Sequence, residues 1–198
     1  MEPVDSVNLL RHADSITDSV TAIDVTLDWS EPPVLRFRYS IIGDMSRLRI
    51  AQPSSPVRQD GLWKHTCFEA FVKGPAEAYY EFNFSPSRQW AAYRFDAYRR
   101  AMAQLNLSSP PAVHVESLPG SFTLEAVVDL KGLDHADPGS QKRLGLAAVI
   151  EQRSGSLSYW ALHHPPGKPD FHHPDGFVLA LTGYSACARG TDARAKGG

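Results

Sequence analysis

Two stretches of the sequence concentrate side chains able to do chemistry. Residues 61–98, GLWKHTCFEAFVKGPAEAYYEFNFSPSRQWAAYRFDAY, carry Glu69, Glu81, Asn83 and Arg94 among many aromatics. Residues 159–177, YWALHHPPGKPDFHHPDGF, carry His163, His164, Asp170, His172 and His173. In the first stretch, two carboxylates, an amide and a guanidinium offer planar hydrogen bonding, with Trp63, Tyr79 and Trp90, and Trp160 from the second stretch, as stacking surfaces. Small-molecule sites combine apolar walls with a few placed polar groups in that way. In the second, imidazole and carboxylate side chains are the vocabulary of a metal site, or of a haem ligand.

The elements that must position these groups follow from period-two alternation. Phe68, Ala70 and Val72 share one face of a strand, and Tyr80, Phe82 and Phe84 share one face of the next. The polar segment 73–78 joins the two as a hairpin. Pairing Ala70 with Tyr80 puts Glu69 opposite Glu81 and Cys67 opposite Asn83. A third strand with Ala91, Tyr93 and Phe95 on its core side would then set Arg94 beside Glu81 and Asp96 near Tyr79. Directly opposed carboxylates repel unless a cation, a shared proton or a ligand lies between them. Arg94 is the expected cation. Such a row is either a charge ladder on a solvated sheet or a polar binding surface, and both readings stand on the sequence. Carbohydrate sites have the second chemistry, with flat aromatic faces ringed by planar polar groups.

The histidine stretch runs from a strand into a Pro- and Gly-rich loop. Adjacent histidines on a strand point to opposite faces, so each pair donates one ligand readily. The loop is a cover over the end of the domain, a rim of the site, or a metal or haem site. Trp160 depends on the preceding turn. A two-residue turn at Ser154-Gly155 pairs Val149 with Trp160 and puts it on the face of Glu151; a longer loop sends it into the core beside Ile150.

Elsewhere the chain is rich in strand signals. Ile23, Val25, Leu27 and Trp29 alternate with polar residues, as do Leu35, Phe37, Tyr39 and Ile41, and Phe122 through Leu130. Leu48/Ile50, Val113/Val115, residues 144–151, 157–162 and 177–181 bring the total to roughly ten, punctuated by Pro and Gly turns. Helix is predicted only over 98–105 and as a turn near 130–135. The expected fold is all-β, an antiparallel β-sandwich of jelly-roll type. Residues 1–19 form an N-terminal arm, 20–184 a single domain, and 185–198 a disordered tail.

Composition narrows the function. The 198 residues carry a net charge of −2, which argues against nucleic acid as a partner. The absence of a basic leader or a long apolar run predicts a cytoplasmic protein with no membrane partner. Cys67 and Cys187 are expected to be reduced thiols. No G-x-S-x-G, phosphate loop, dinucleotide glycine pattern or H-E-x-x-H occurs. Glu69 and Glu81, if directly opposed, are too close for an inverting glycosidase, and Cys67 with His65 is better read as packing than as a nucleophile with its base. A binding role is expected over a catalytic one.

The segments GLWKHTCFEAFVK, YYEFNFSPSRQWAAYRFDAYR, AAVIEQRSGSLSYWALHHP and DFHHPDGF resemble DOMON-like domains, a group allied to the family 9 carbohydrate-binding modules. YEFNFSP, at residues 80–86, is the most specific of these matches. The resemblance implies a β-sandwich that binds a ligand, with Trp63, Glu69, Glu81 and Asn83 on matched positions. The wider group is associated with sugars in some members and with haem or other cofactors in others. The expected function is therefore a non-catalytic module for a small carbohydrate-like ligand. A haem- or metal-binding module using the histidine loop and a protein-interaction domain are the alternatives.

Overall fold

The computed structural model of the chain describes residues 5–31, 33–133 and 142–181. These form thirteen strands in two antiparallel sheets packed as a sandwich. The strands are β1 (Asp5–Asn8), β2 (Leu10–Arg11), β3 (Val20–Glu31), β4 (Val34–Gly43), β5 (Cys67–Lys73), β6 (Tyr79–Phe84), β7 (Trp90–Phe95), β8 (Ala103–Gln104), β9 (Ala112–Leu118), β10 (Ser121–Asp129), β11 (Lys142–Glu151), β12 (Leu157–Ala161) and β13 (Leu179–Leu181). The first sheet has the order β1-β3-β4-β10-β9. The second runs β2-β12-β11-β5-β6-β7-β8, with β13 also on β11. Among the described residues no helix is long and apolar enough to cross a membrane.

Alternation builds the core as expected. From the first sheet come Ile23, Val25, Leu35, Phe37, Tyr39, Phe122 and Leu124; from the second, Phe68, Ala70, Phe82, Phe84, Ala148 and Ile150, all essentially inaccessible to water. Burial of these side chains is the dominant favourable term for a sandwich of this size.

Two sequence expectations fail locally. Residues 98–105 are not helical: Ala97 and Arg100 bridge a turn, and Ala103 and Gln104 add a short edge strand to β7. The turn expected near 130–135 is present over 131–133, and residues 134–135 lie outside the described residues. Leu48 and Ile50 make no strand; Leu48 forms an isolated bridge to Gln152 after a short 3-10 turn at Met45–Arg47. The N-terminal arm is stitched into both sheets, β1 on β3 and β2 on β12. Residues 185–198 and Cys187 lie outside the described residues.

The second sheet is not solvated on its outer face. A smaller apolar cluster containing Leu62, Phe71, Tyr79, Tyr93, Phe95 and Phe177 sits there, closed over by the loop after β12. Gly145 on β11 permits that closure, because a Cβ there would come within 3.1 Å of the Gly176 carbonyl oxygen. The loop backbone therefore rests directly on the sheet, and the outer face becomes an interior.

Candidate functional site

The register of the central strands differs from the sequence expectation by two residues. Glu69 lies opposite Asn83, Glu81 opposite Phe71, and Ala70 opposite Phe82. The glutamates are thus diagonal neighbours on the outer face. The parity of β5 and β6 was legible from their apolar residues, but the connecting loop is two residues longer than the expected pairing implies: Lys73 pairs with Tyr79, and the Gly74 N–H donates to the Ala78 carbonyl within the loop.

The parity of β7 is inverted relative to expectation. Trp90 and Ala92 point into the sandwich core, while Ala91, Tyr93 and Phe95 share the outer face with Glu81. Arg94 consequently lies on the opposite side of the sheet from the glutamates. Its side chain is 51% exposed and pairs with Asp96 at 3.1 Å. The physical reason is that both faces of this sheet are apolar, so alternation alone does not say which side of β7 is inward.

The cation near the glutamates is Arg99, from the turn after β7. Its backbone is left-handed, with φ of 51°, an uncommon conformation for a residue with a side chain. Its guanidinium donates to Asp170 Oδ1 at 2.7 Å, and Asp170 also accepts from the Tyr98 hydroxyl and from the His172 backbone N–H. Asp170 thereby ties the histidine loop to the turn after β7 and sets His172 over the sheet.

His172 packs edge-on against Phe71, Tyr79 and Phe95, whose rings lie 5.3, 5.8 and 5.1 Å away. The Arg99 backbone N–H donates to the Tyr79 hydroxyl at 3.2 Å, and that hydroxyl lies 2.8 Å from His172 Nδ1. Burial holds the imidazole neutral, with its pKa pushed down to about 4. A neutral ring accepting from Tyr79 at Nδ1 carries its proton on Nε2. That N–H faces Glu81 Oε2 across 3.8 Å, too far for a direct hydrogen bond.

Glu81 accepts from Asn83 Nδ2 at 2.6 Å through Oε1. Glu69 is 3% exposed, and its carboxyl has no hydrogen-bond partner among the described residues. Burial raises the pKa of both acids, that of Glu81 to about 7; the neighbouring Glu81 charge raises Glu69 further, and Arg99 opposes the shift in both. Near neutrality the pair retains a proton. Cys67, beside Asn83, is a buried thiol whose pKa burial drives up, which makes it an inert packed group.

Glu69, Glu81 and His172 open into a cavity of about 380 Å³. Its walls include Trp63, Phe95, Met102, Tyr159 and Phe171, with Arg99 also lining it. Trp63 is 38% exposed and meets Tyr93 edge-on at 6.0 Å, so an indole face is available at the mouth. Of the residues singled out from the sequence, Trp63, Glu69, Glu81 and His172 line this cavity, and Tyr79 and Asn83 buttress them. Trp90, Arg94 and Trp160 lie elsewhere. Trp160 pairs with Ala148 and is buried in the sandwich core, because the turn after Glu151 spans more than two residues. Its neighbour Tyr159 therefore takes the outer face.

The other candidate metal ligands do not gather. His164 Nε2 meets the Leu10 carbonyl at 2.8 Å and its ring contacts His12. His173 caps the short 3-10 turn Pro174–Gly176. His163 is not among the residues lining the cavity. Among the described residues no three His, Cys, Asp or Glu side chains are arranged to hold a metal ion.

Arg99, Tyr159, Phe95, Met102 and Phe171 were not foreseen as site residues. Tyr159 had a signal, since placing Trp160 in the core forces it outward. Arg99 had none, because its position depends on a left-handed turn and on Asp170.

No protein-family model matches the chain, and no curated protein matches its sequence. Its fold is nonetheless similar to solved structures. A protein of Bacteroides uniformis, to which carbohydrate binding is provisionally attributed, superposes with a TM-score of 0.64 at 12% identity, over 88% of this chain and 84% of that one. A family 9 carbohydrate-binding module from Caldicellulosiruptor kristjanssonii, in complex with cellotriose, gives a TM-score of 0.52 at 15% identity over 83% and 75% of the two chains. The same module with glucose gives 0.52 at 15% identity, over 83% and 76%. The DOMON-like resemblance rests on the sequence motifs; what these structures share with the chain is the β-sandwich of the family 9 modules.

Proposed function

We propose that the chain is a non-catalytic binding module for a small carbohydrate-like ligand, held in the cavity floored by Glu69, Glu81 and His172. The observation that carries this reading is Glu69, a residue only 3% exposed whose carboxyl has no hydrogen-bond partner among the described residues and which lines an aromatic-walled space. A carboxyl in so sheltered a space forms charge-assisted hydrogen bonds that are stronger than neutral ones, so a ligand that supplies donors gains by meeting it. Sugar hydroxyls suit the floor because each both donates and accepts. One hydroxyl can accept from His172 Nε2–H and donate to Glu81 Oε2 across their 3.8 Å separation. Trp63, Tyr159 and Phe171 offer ring faces for the apolar side of a pyranose. The cavity volume falls within the range of small-molecule sites. The family 9 neighbour in complex with glucose and cellotriose supports the same ligand class on a comparable sandwich.

Isothermal titration of the folded protein against neutral and charged mono- and disaccharides tests the proposal. Saturable binding to at least one sugar is expected, weakened about tenfold or more in Glu69→Ala. Silence across the panel from a protein with an intact thermal transition refutes it.

A further inference from the structure

Resting on the reading of this cavity as a small-ligand site, we propose that its ligand carries a protonated amine seated against Glu69 and Glu81, placing it in the amino-sugar class. The argument begins with the charges facing the cavity. Glu69 comes from β5 and Glu81 from β6. Asn83 occupies one oxygen of Glu81, leaving Oε2 free toward the space, and nothing among the described residues hydrogen-bonds to the Glu69 carboxyl. The guanidinium in the lining, Arg99, is committed to Asp170 at 2.7 Å. Arg99 acts on the two acids only through its charge at a distance, so neither has a cation hydrogen-bonded to it among the described residues.

The remaining titratable groups do not supply one. His172 is neutral and brings no positive charge to the pair. Tyr79 and Cys67 stay protonated because burial raises both. Tyr39, reaching across from the first sheet, donates to the Glu69 backbone carbonyl at 2.8 Å and not to its carboxyl. Two carboxyls close together in a dry site keep a proton in place of a counter-ion. An ammonium supplies the counter-charge and up to three donors, filling the open acceptor on Glu69 and the free oxygen of Glu81. The sugar ring that carries it would rest on the aromatic walls, as in the parent reading. Seating the ammonium lets the acid pair ionise, so the proton it held passes to the buffer. Charge balances: one cation enters and one proton leaves.

The test compares glucosamine and galactosamine with glucose, galactose and N-acetylglucosamine, by calorimetry at pH 7 in two buffers of different ionisation enthalpy. The amines are expected to bind at least ten times tighter than their neutral counterparts, with a buffer-dependent enthalpy reporting proton release. Their affinity should rise with pH between 5 and 7, by up to roughly tenfold per pH unit for one proton released. Glu69→Gln keeps the side chain's shape and should abolish the excess affinity of the amines over the neutral sugars, together with the buffer-dependent enthalpy. Equal affinities with no proton exchange overturn the amine assignment and leave the sugar reading intact. Failure of all five ligands to bind the folded protein overturns both.

Discussion

Replacing the Glu81 carboxyl by an amide should reveal an opposition that the wild-type protein conceals. Folding raises the Glu81 pKa from 4.5 to about 7. A carboxyl raised in the fold contributes stability that is full below its unfolded value and lost as pH climbs through the folded one. At 1.36 kcal/mol per pH unit, the loss between pH 4.5 and pH 8 is roughly 3 kcal/mol. His172 works in the other direction. Its pKa falls from 6.5 to about 4 on folding, so the unfolded chain takes up a proton that the fold refuses, and stability is lost as pH drops from 6.5 towards 4. Between pH 4.5 and 6.5 the two slopes largely cancel.

The measurement is therefore the difference between variant and wild type, which isolates one group. Glu81→Gln can still accept from Asn83, so the packing is preserved. Relative to wild type it should gain about 3 kcal/mol between pH 4.5 and pH 8, and relief of Glu69 from its charged neighbour adds to the gain. For a chain of this length, 1 kcal/mol moves the melting temperature by about 2–4 °C. The Tm difference should then widen by about 6–12 °C, read by circular dichroism at pH 4.5, 6 and 8 and constant ionic strength. His172→Gln should change with the opposite sign, gaining on wild type as the pH falls. A Glu81→Gln difference that stays constant with pH refutes the reasoning, because it means the carboxyl is not held protonated by the fold.

The two tryptophans that separate core from cavity should behave differently on truncation. Trp160→Ala removes a side chain packed in the sandwich core and should cost about 3–5 kcal/mol in urea unfolding. Trp63→Ala, at the cavity mouth, should cost much less but weaken sugar binding by about tenfold in calorimetry. The two arginines form a second contrast. Arg94→Ala, on the exposed pair with Asp96, should alter stability by less than about 0.5 kcal/mol and leave ligand affinity unchanged. Arg99→Ala unties Asp170 from the turn after β7, so it should lower ligand affinity and raise the pH at which Glu81 titrates, followed by carboxyl NMR.

Alternation in the sequence located the long strands and most of their inward faces. In β3, β4 and β10 one face is apolar and the other polar, so the period-two pattern of residues such as Leu35, Phe37, Tyr39 and Ile41 carries its own orientation. It also singled out Glu69 and Glu81, because carboxylates among apolar strand residues are conspicuous wherever they point. Tertiary structure decided the rest, for three reasons. β5, β6 and β7 are buried on both faces, so alternation loses its sign, and Arg94 and Trp90 were placed on the wrong side. Hairpin register depends on turn geometry that a polar segment does not encode, and a shift of two residues turned opposed glutamates into diagonal ones. Finally, Arg99 and His172 reach the glutamates only because Asp170 joins two loops 71 residues apart in the chain. A contact of that kind is settled by the packing of the loop on the sheet, through Gly145 and the apolar cluster beneath it, and leaves no local mark in the sequence.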